Sequence, residues 1–219
     1  MNNHNLEAAT EEKDLRVTFD KELKFRSHIR NIVSKANSRV GIIKRTFEYL
    51  TIENFKILYK SQVRPVLEYC TDIWYPTYAK DMVEVEKVQK RATKLVKGLE
   101  HKPYSERLRE LDIPSMEYRR NRTDLIQTFR ILKGYDNLDP SLFFEMDCRG
   151  VTRGHSMKLI KPRVFTRNRQ YSFSQRVINP WNSLPEQVVS ADSINSFKDR
   201  LELIWRNNPV KYSPSFLHT

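Results

Sequence analysis

Glycine occurs only five times in the 219 residues and cysteine twice. So little glycine, with ten prolines, argues against a linker-like or collagenous chain. The cysteines, Cys70 and Cys148, lie far apart and outside any CxxC pair, so both are expected as reduced thiols. A zinc site would need Cys and His at short spacings, whereas the five histidines are scattered. No apolar run approaches the ~20 residues that span a bilayer. The segment MNNHNLEAATEEKD has no basic stretch leading into an apolar run, as a secretory signal would. An intracellular chain, nuclear or cytoplasmic, without a membrane partner is therefore expected.

Recognisable catalytic patterns are also missing. Two-metal polymerases and nucleases need carboxylates that converge on a pair of divalent ions. The polymerase form often shows an aromatic residue followed closely by two adjacent aspartates, and this sequence contains no Asp-Asp pair. GxxxxGK[ST], HExxH and GxSxG are absent as well. His28, Asp72 and His155 stand alone and read as surface or structural residues. No catalytic residue, metal or cofactor is assigned.

Acid is missing from one long window. Between Cys148 and Pro185 there is no Asp or Glu, while Arg149, Arg153, Lys158, Lys161, Arg163, Arg167, Arg169 and Arg176 supply +8 of the net +12. A single-sign block beside a mixed-charge remainder points to an anionic partner. Phe165, Tyr171, Phe173 and Trp181 are interleaved with these cations, a composition that suits phosphate contacts and base stacking. The alternative is a basic domain whose aromatics are simply buried.

With 39% hydrophobic and 30% charged residues, a thin core under a charged surface is expected. Residues 1–14 read as disordered, followed by a short strand at 15–20. Phe25, Ile29, Ile32, Ala36, Val40, Ile43 and Phe47 recur at helical spacing and predict a long amphipathic helix. Thr51 is placed to cap a second helix, which Pro65 kinks or restarts. A third helix is predicted from Asp81 to Lys97, with Gly98 as its stop. On it Lys87, Lys90, Arg91, Lys94 and Lys97 fall within about a third of the circumference at ~100° per residue. They form either a solvated face tuned to the helix dipole or a ridge that tracks phosphates.

Pro103 opens a short helix, and Ser115 caps a longer one closed by Gly134. Residues 135–140 read as a boundary. Beyond it a hairpin is predicted from Met157–Ile160 and Arg163–Phe165, then a helix from Tyr171 to Asn179 and a last helix capped by Ser193. The expected fold is mainly α. A helical bundle over 21–134 is followed by a smaller basic α+β region over 141–206 and a flexible tail over 207–219.

Several blocks carry a family resemblance: EKDLRVTFD (Glu12–Asp20), HIRNIVSKANSRVGIIKRTF (His28–Phe47), LYKSQVRPVLEYCTDIW (Leu58–Trp74) and VEKVQKRATKLVKGL (Val85–Leu99). They continue as YSERLRELDIPSMEYRRNRTDLIQTFRILKG (Tyr104–Gly134), TRGHSMKLIKPR (Thr152–Arg163), YSFSQRVINPWNSLP (Tyr171–Pro185) and SINSFKDRLELIW (Ser193–Trp205). In this order they resemble the C-terminal part of jockey-like and chicken-repeat-like non-LTR retrotransposon reverse transcriptases. The resemblance runs from about residue 12 to 205. Two positions depart from it: Arg16 stands where the family usually has Gly, and Pro180 precedes Trp181 where a helix-tolerant residue is usual, which implies that the helix there ends early.

The resemblance implies that residues 15–20 are the edge of a polymerase palm and that the helices over 21–134 are thumb-like, gripping template–primer through its backbone. It implies nucleic acid as partner (RNA, DNA or hybrid duplex) and favours the ridge reading for the five cations of the third helix. The catalytic palm would be missing, leaving a non-catalytic fragment and exposing former palm-facing surface to self-association. The alternatives are part of an active RNA-directed DNA polymerase whose palm lies elsewhere, or a non-functional relic.

Overall fold

A computed structural model describes residues 9–147 and 154–217. The fold is mainly α, and its only sheet among the described residues is a two-stranded antiparallel hairpin. Strand β1 (Glu11–Asp14) pairs with β2 (Val17–Asp20), with Asp14 opposite Val17. Residues 11–14, expected to be disordered, thus supply the partner that the second strand needs. Only Val17 is fully buried, so sheet hydrogen bonding rather than apolar burial orders β1.

The register leaves a two-residue turn, Leu15-Arg16, with φ of 43° and 70°. Such turns require φ > 0 at both positions and favour Gly. Arg16 therefore occupies a left-handed position that a Cβ penalises by ~1–2 kcal/mol. Arg16→Gly removes that penalty against ~0.5–1 kcal/mol of extra chain entropy. A net gain of about 0.5–1 kcal/mol is expected in urea unfolding.

Asp20 turns the chain into the first helix. Its carboxylate accepts the backbone N–H groups of Glu22 (3.1 Å), Lys24 (3.0 Å) and Phe25 (2.5 Å). This holds Leu23 and Phe25 at positive φ and stands in for the missing side-chain cap of α1 (Arg26–Thr46). The predicted stripe is the buried one, with Ile29, Ile32, Ala36, Val40 and Ile43 facing the core.

Thr51 caps α2 (Ile52–Leu58) by accepting from Asn54 N at 3.3 Å. Pro65 has no N–H to give, and the chain meets it by widening into a π turn at Tyr59–Val63 before α3 (Arg64–Glu68). Helix α4 (Ala79–Ala92) ends earlier than predicted and tightens into a 3₁₀ turn at Thr93–Leu95. Gly98 follows in the left-handed region at φ 84°.

Helix α5 (Tyr104–Leu111) leads to α6 (Met116–Leu132), capped as predicted by Ser115, whose Oγ accepts from Tyr118 N at 3.1 Å. Two apolar cores meet along α6. The first gathers α1–α5 and ends at Met116; the second begins at Leu125 and runs to Leu201. The change of core therefore falls inside α6, not after Gly134.

The second core is made of short helices. The predicted Tyr171–Asn179 helix is interrupted: Tyr171 ends α7 (Arg167–Tyr171), and the rest falls in α8 (Phe173–Arg176) and the start of α9 (Ile178–Asn182). Pro180 does not end a helix early. It lies in the first turn of α9, where a missing N–H costs no intrahelical bond, and so delivers Trp181 fully buried to the core. Helices α10 (Glu186–Val189) and α11 (Ile194–Ile204) complete it, and Ser193 caps α11 through Ser196 N at 3.1 Å. The predicted 157–165 hairpin is not formed; Leu159 instead makes a single antiparallel bridge with Met146.

Residues 207–217 are not a free tail. Ser115 donates from N to Lys211 O (2.7 Å) and from Oγ to Val210 O (2.6 Å), and Ser215 donates from both N and Oγ to Glu117 (2.7 Å each). Polar groups at the start of α6 hold this segment down, and hydropathy does not register them. No described helix is long and apolar enough to cross a membrane.

Candidate nucleic-acid interface

All five cations predicted as a ridge are exposed: Lys87, Lys90 and Arg91 on α4, with Lys94 and Lys97 just beyond it. The opposite face of α4 is core, with Val85, Val88 and Ala92 at most 1% exposed. That contrast is what turns the cations outward. Lys87 Nζ pairs with Glu84 Oε1 at 2.7 Å, an exposed contact worth little. Arg91 Nη1 donates to Asn37 Oδ1 at 2.8 Å, and Lys97 Nζ sits 4.8 Å from the Tyr49 ring.

The Arg91–Asn37 bond joins the ridge to α1. Asn37, Gly41, Lys44, Arg91 and Lys94 line one groove of about 410 Å³ between the two helices. Helical periodicity does not nominate Lys44, although the sequence holds a signal for it. From Leu23 to Phe47 there is no acidic residue, while Lys24, Arg26, Arg30, Lys35, Arg39, Lys44 and Arg45 are all present. The apolar stripe of α1 hides this second acid-free window.

The C-terminal block divides. Arg149 and Arg153 lie outside the described residues. Lys161, Arg163, Arg167 and Arg169 are exposed. Arg163 lies over the Phe165 ring at 5.4 Å, and that ring is 87% exposed, so the pair stands free of either core. Arg167 and Arg26 each lie 4.7 Å from the Tyr78 ring, which brings the C-terminal block against α1 at the start of α4. Arg167 and the ridge thus mark the two ends of α4, ~20 Å apart at 1.5 Å per residue. Lys158 is half-buried and packs on Gly154 (φ 132°), where a Cβ would lie 2.5 Å from Lys158 Cε.

Arg176 is not available to a ligand. Its Nε and Nη2 donate to the two carboxylate oxygens of Asp124, each at 2.8 Å, and Nη1 donates to Tyr171 O at 3.1 Å. The pair is 10% and 9% exposed, and the guanidinium lies 4.4 Å from the Tyr75 ring. Arg176 clamps α8 to α6, so its place among the predicted phosphate contacts is withdrawn.

The isolated candidates are structural. His28 is buried edge-on to Trp74 and accepts from Thr18 N through Nδ1 at 3.3 Å, tying the hairpin to α1. Burial, then Lys35, holds its pKa below the usual histidine value. His155 bridges Trp181 O (3.0 Å) and Met157 N (3.2 Å), and burial holds its pKa below the usual histidine value too. Glu86, 1% exposed, accepts from Tyr104 OH at 2.5 Å and Met116 N at 3.1 Å, so it ties α4 to the start of α6. Among the described residues no group of His, Cys, Asp and Glu is arranged to hold a metal.

Asp72 is pushed up to about 6, first by burial and then by Asp124, with Arg176 opposing. An acid whose pKa is raised on folding binds its proton more tightly in the native state. Stability therefore falls as pH rises from about 3.8 to about 6, and the loss persists above that window. Asp72→Asn mimics the protonated acid. It is expected to stabilise the chain by about 1–2 kcal/mol at pH 7.5, a gain that should disappear near pH 4 in thermal melts.

Searches against models of known families, curated proteins and solved structures match nothing to this chain.

Proposed function

We propose that this chain is a nucleic-acid-binding protein that grips a duplex by its backbone and carries no polymerase chemistry of its own. The carrying observation is the edge along α4: Lys44, Arg91 and Lys94 in one groove, Lys87, Lys90 and Lys97 beside it, and Arg167 at its far end. One strand of a duplex carries a phosphate per ~3.4 Å of helix axis, so ~20 Å of axis holds about six of them. Cations spread along an edge suit backbone contacts without base readout. The resemblance to the thumb-like part of non-LTR reverse transcriptases supports the same reading and makes RNA–DNA hybrid the first ligand to try. An intracellular location, nuclear or cytoplasmic, follows from that ligand.

The test is binding of the purified chain to a labelled RNA–DNA hybrid across a salt series, with primer extension run on the same sample. The expected result is log K falling steeply against log salt, by about 0.9 per phosphate contacted, with no extension. Extension of the primer would overturn the non-catalytic part of the proposal. Binding that ignores salt would overturn the rest.

A further inference from the structure

A second groove, of about 420 Å³, lies between the hairpin and the C-terminal block, beside the Arg167 end of the α4 edge. That size falls within the ~300–1,000 Å³ usual for small-ligand sites. Phe19 and Phe25 wall it on the hairpin side, Ile73 and Tyr75 on the connection after α3, and Tyr171 on α7. Phe19 and Phe25 meet edge to face at 5.6 Å, so one wall is held by its own packing. Leu23 and Ile73 on its lining are each 52% exposed, and the groove is open to solvent.

The rim decides which occupant fits. Asn168 and Arg169 line it, and Arg167 lies 5.7 Å from the ring of Tyr171. All three belong to the window without acid between Cys148 and Pro185. A partner's aliphatic side chain or a second copy of this chain would use the apolar walls and leave the cations unmatched. An unpaired base brings an apolar face and its own flanking phosphates, the pairing that single-strand sites use. We infer that this groove receives an unpaired nucleobase, stacked on its aromatic walls, with the adjoining phosphates on Arg167 and Arg169. The inference rests on the backbone-binding reading and deepens it: the ligand becomes a duplex that continues into single strand.

Two oligomers of equal length and phosphate count separate base from backbone, oligothymidine and its abasic counterpart, each titrated with the full chain across salt. Oligothymidine is expected to bind roughly tenfold more tightly at every salt concentration, because a stacked base adds affinity without adding charge. Tyr171→Leu, which keeps the wall apolar, is expected to reduce that ratio towards one. Ile73→Glu at the exposed rim should do the same while leaving the cores untouched; its added charge cancels in the ratio. Equal affinity for the two oligomers with a steep salt slope would overturn the groove assignment and leave backbone binding standing. A tenfold ratio that survives in both variants would also overturn it, by placing the base elsewhere. Loss of salt-dependent binding to either oligomer and to the hybrid would overturn both.

Discussion

Arg176→Met is expected to cost about 3–5 kcal/mol of stability, the usual penalty for removing one partner of a buried ion pair. The substitution leaves the Asp124 carboxylate in a site 9% exposed, where burial already pushes its pKa up and Arg176 is the main opposing influence. It also frees Tyr171 O, so α6, α7 and α8 lose a common tie. Domains typically have only ~5–15 kcal/mol of stability, and the loss would be visible as a large shift in urea midpoint. Arg169→Met, at an exposed position, should stay within about 0.5 kcal/mol of the parent. A change of under about 1 kcal/mol for Arg176→Met would mean that the pair is solvated and does not clamp α8 to α6. The exposed arginines of the same block give the complementary result. Replacing Arg163, Arg167 and Arg169 with Ala should flatten the salt slope by about 0.9 for each phosphate those side chains hold. Arg176→Met, assayed where it remains folded, should leave the slope unchanged.

Replacing Lys87, Lys90, Arg91, Lys94 and Lys97 together with Gln should produce the largest loss of binding. Five phosphate contacts correspond to a salt slope of about −4.5, and their removal should take that much from the measured value. Thermal stability should move by no more than about 1 kcal/mol, since the five are exposed on α4 or just beyond it and their ties to Glu84, Asn37 and Tyr49 are surface contacts. Lys44→Gln, across the groove on α1, should flatten the slope by a further ~0.9. An unchanged slope in the quintuple variant would return these cations to the role of a solvated helix face and remove the edge on which the proposed function rests.

The sequence alone determined the long elements and their caps. Phe25 to Phe47 repeat at helical spacing, and Thr51, Ser115 and Ser193 each cap the helix that follows. These features are local, so period and cap chemistry suffice to read them. The outward direction of the α4 cations was legible for the same reason, because the apolar positions of one helix fix where its charged positions point. The tertiary structure decided what depended on residues far apart in the chain. Whether Arg176 met a phosphate or a carboxylate turned on Asp124, 52 residues away, and charge counting cannot see that distance. Lys44 entered the candidate edge only because α1 packs beside α4, and the tail was fastened by hydrogen bonds to Ser115 and Glu117 that leave no periodic trace. The hairpin lay between these cases. Its second strand was readable, but a partner as polar as Glu-Glu-Lys-Asp carries no apolar alternation, and only backbone pairing could reveal it.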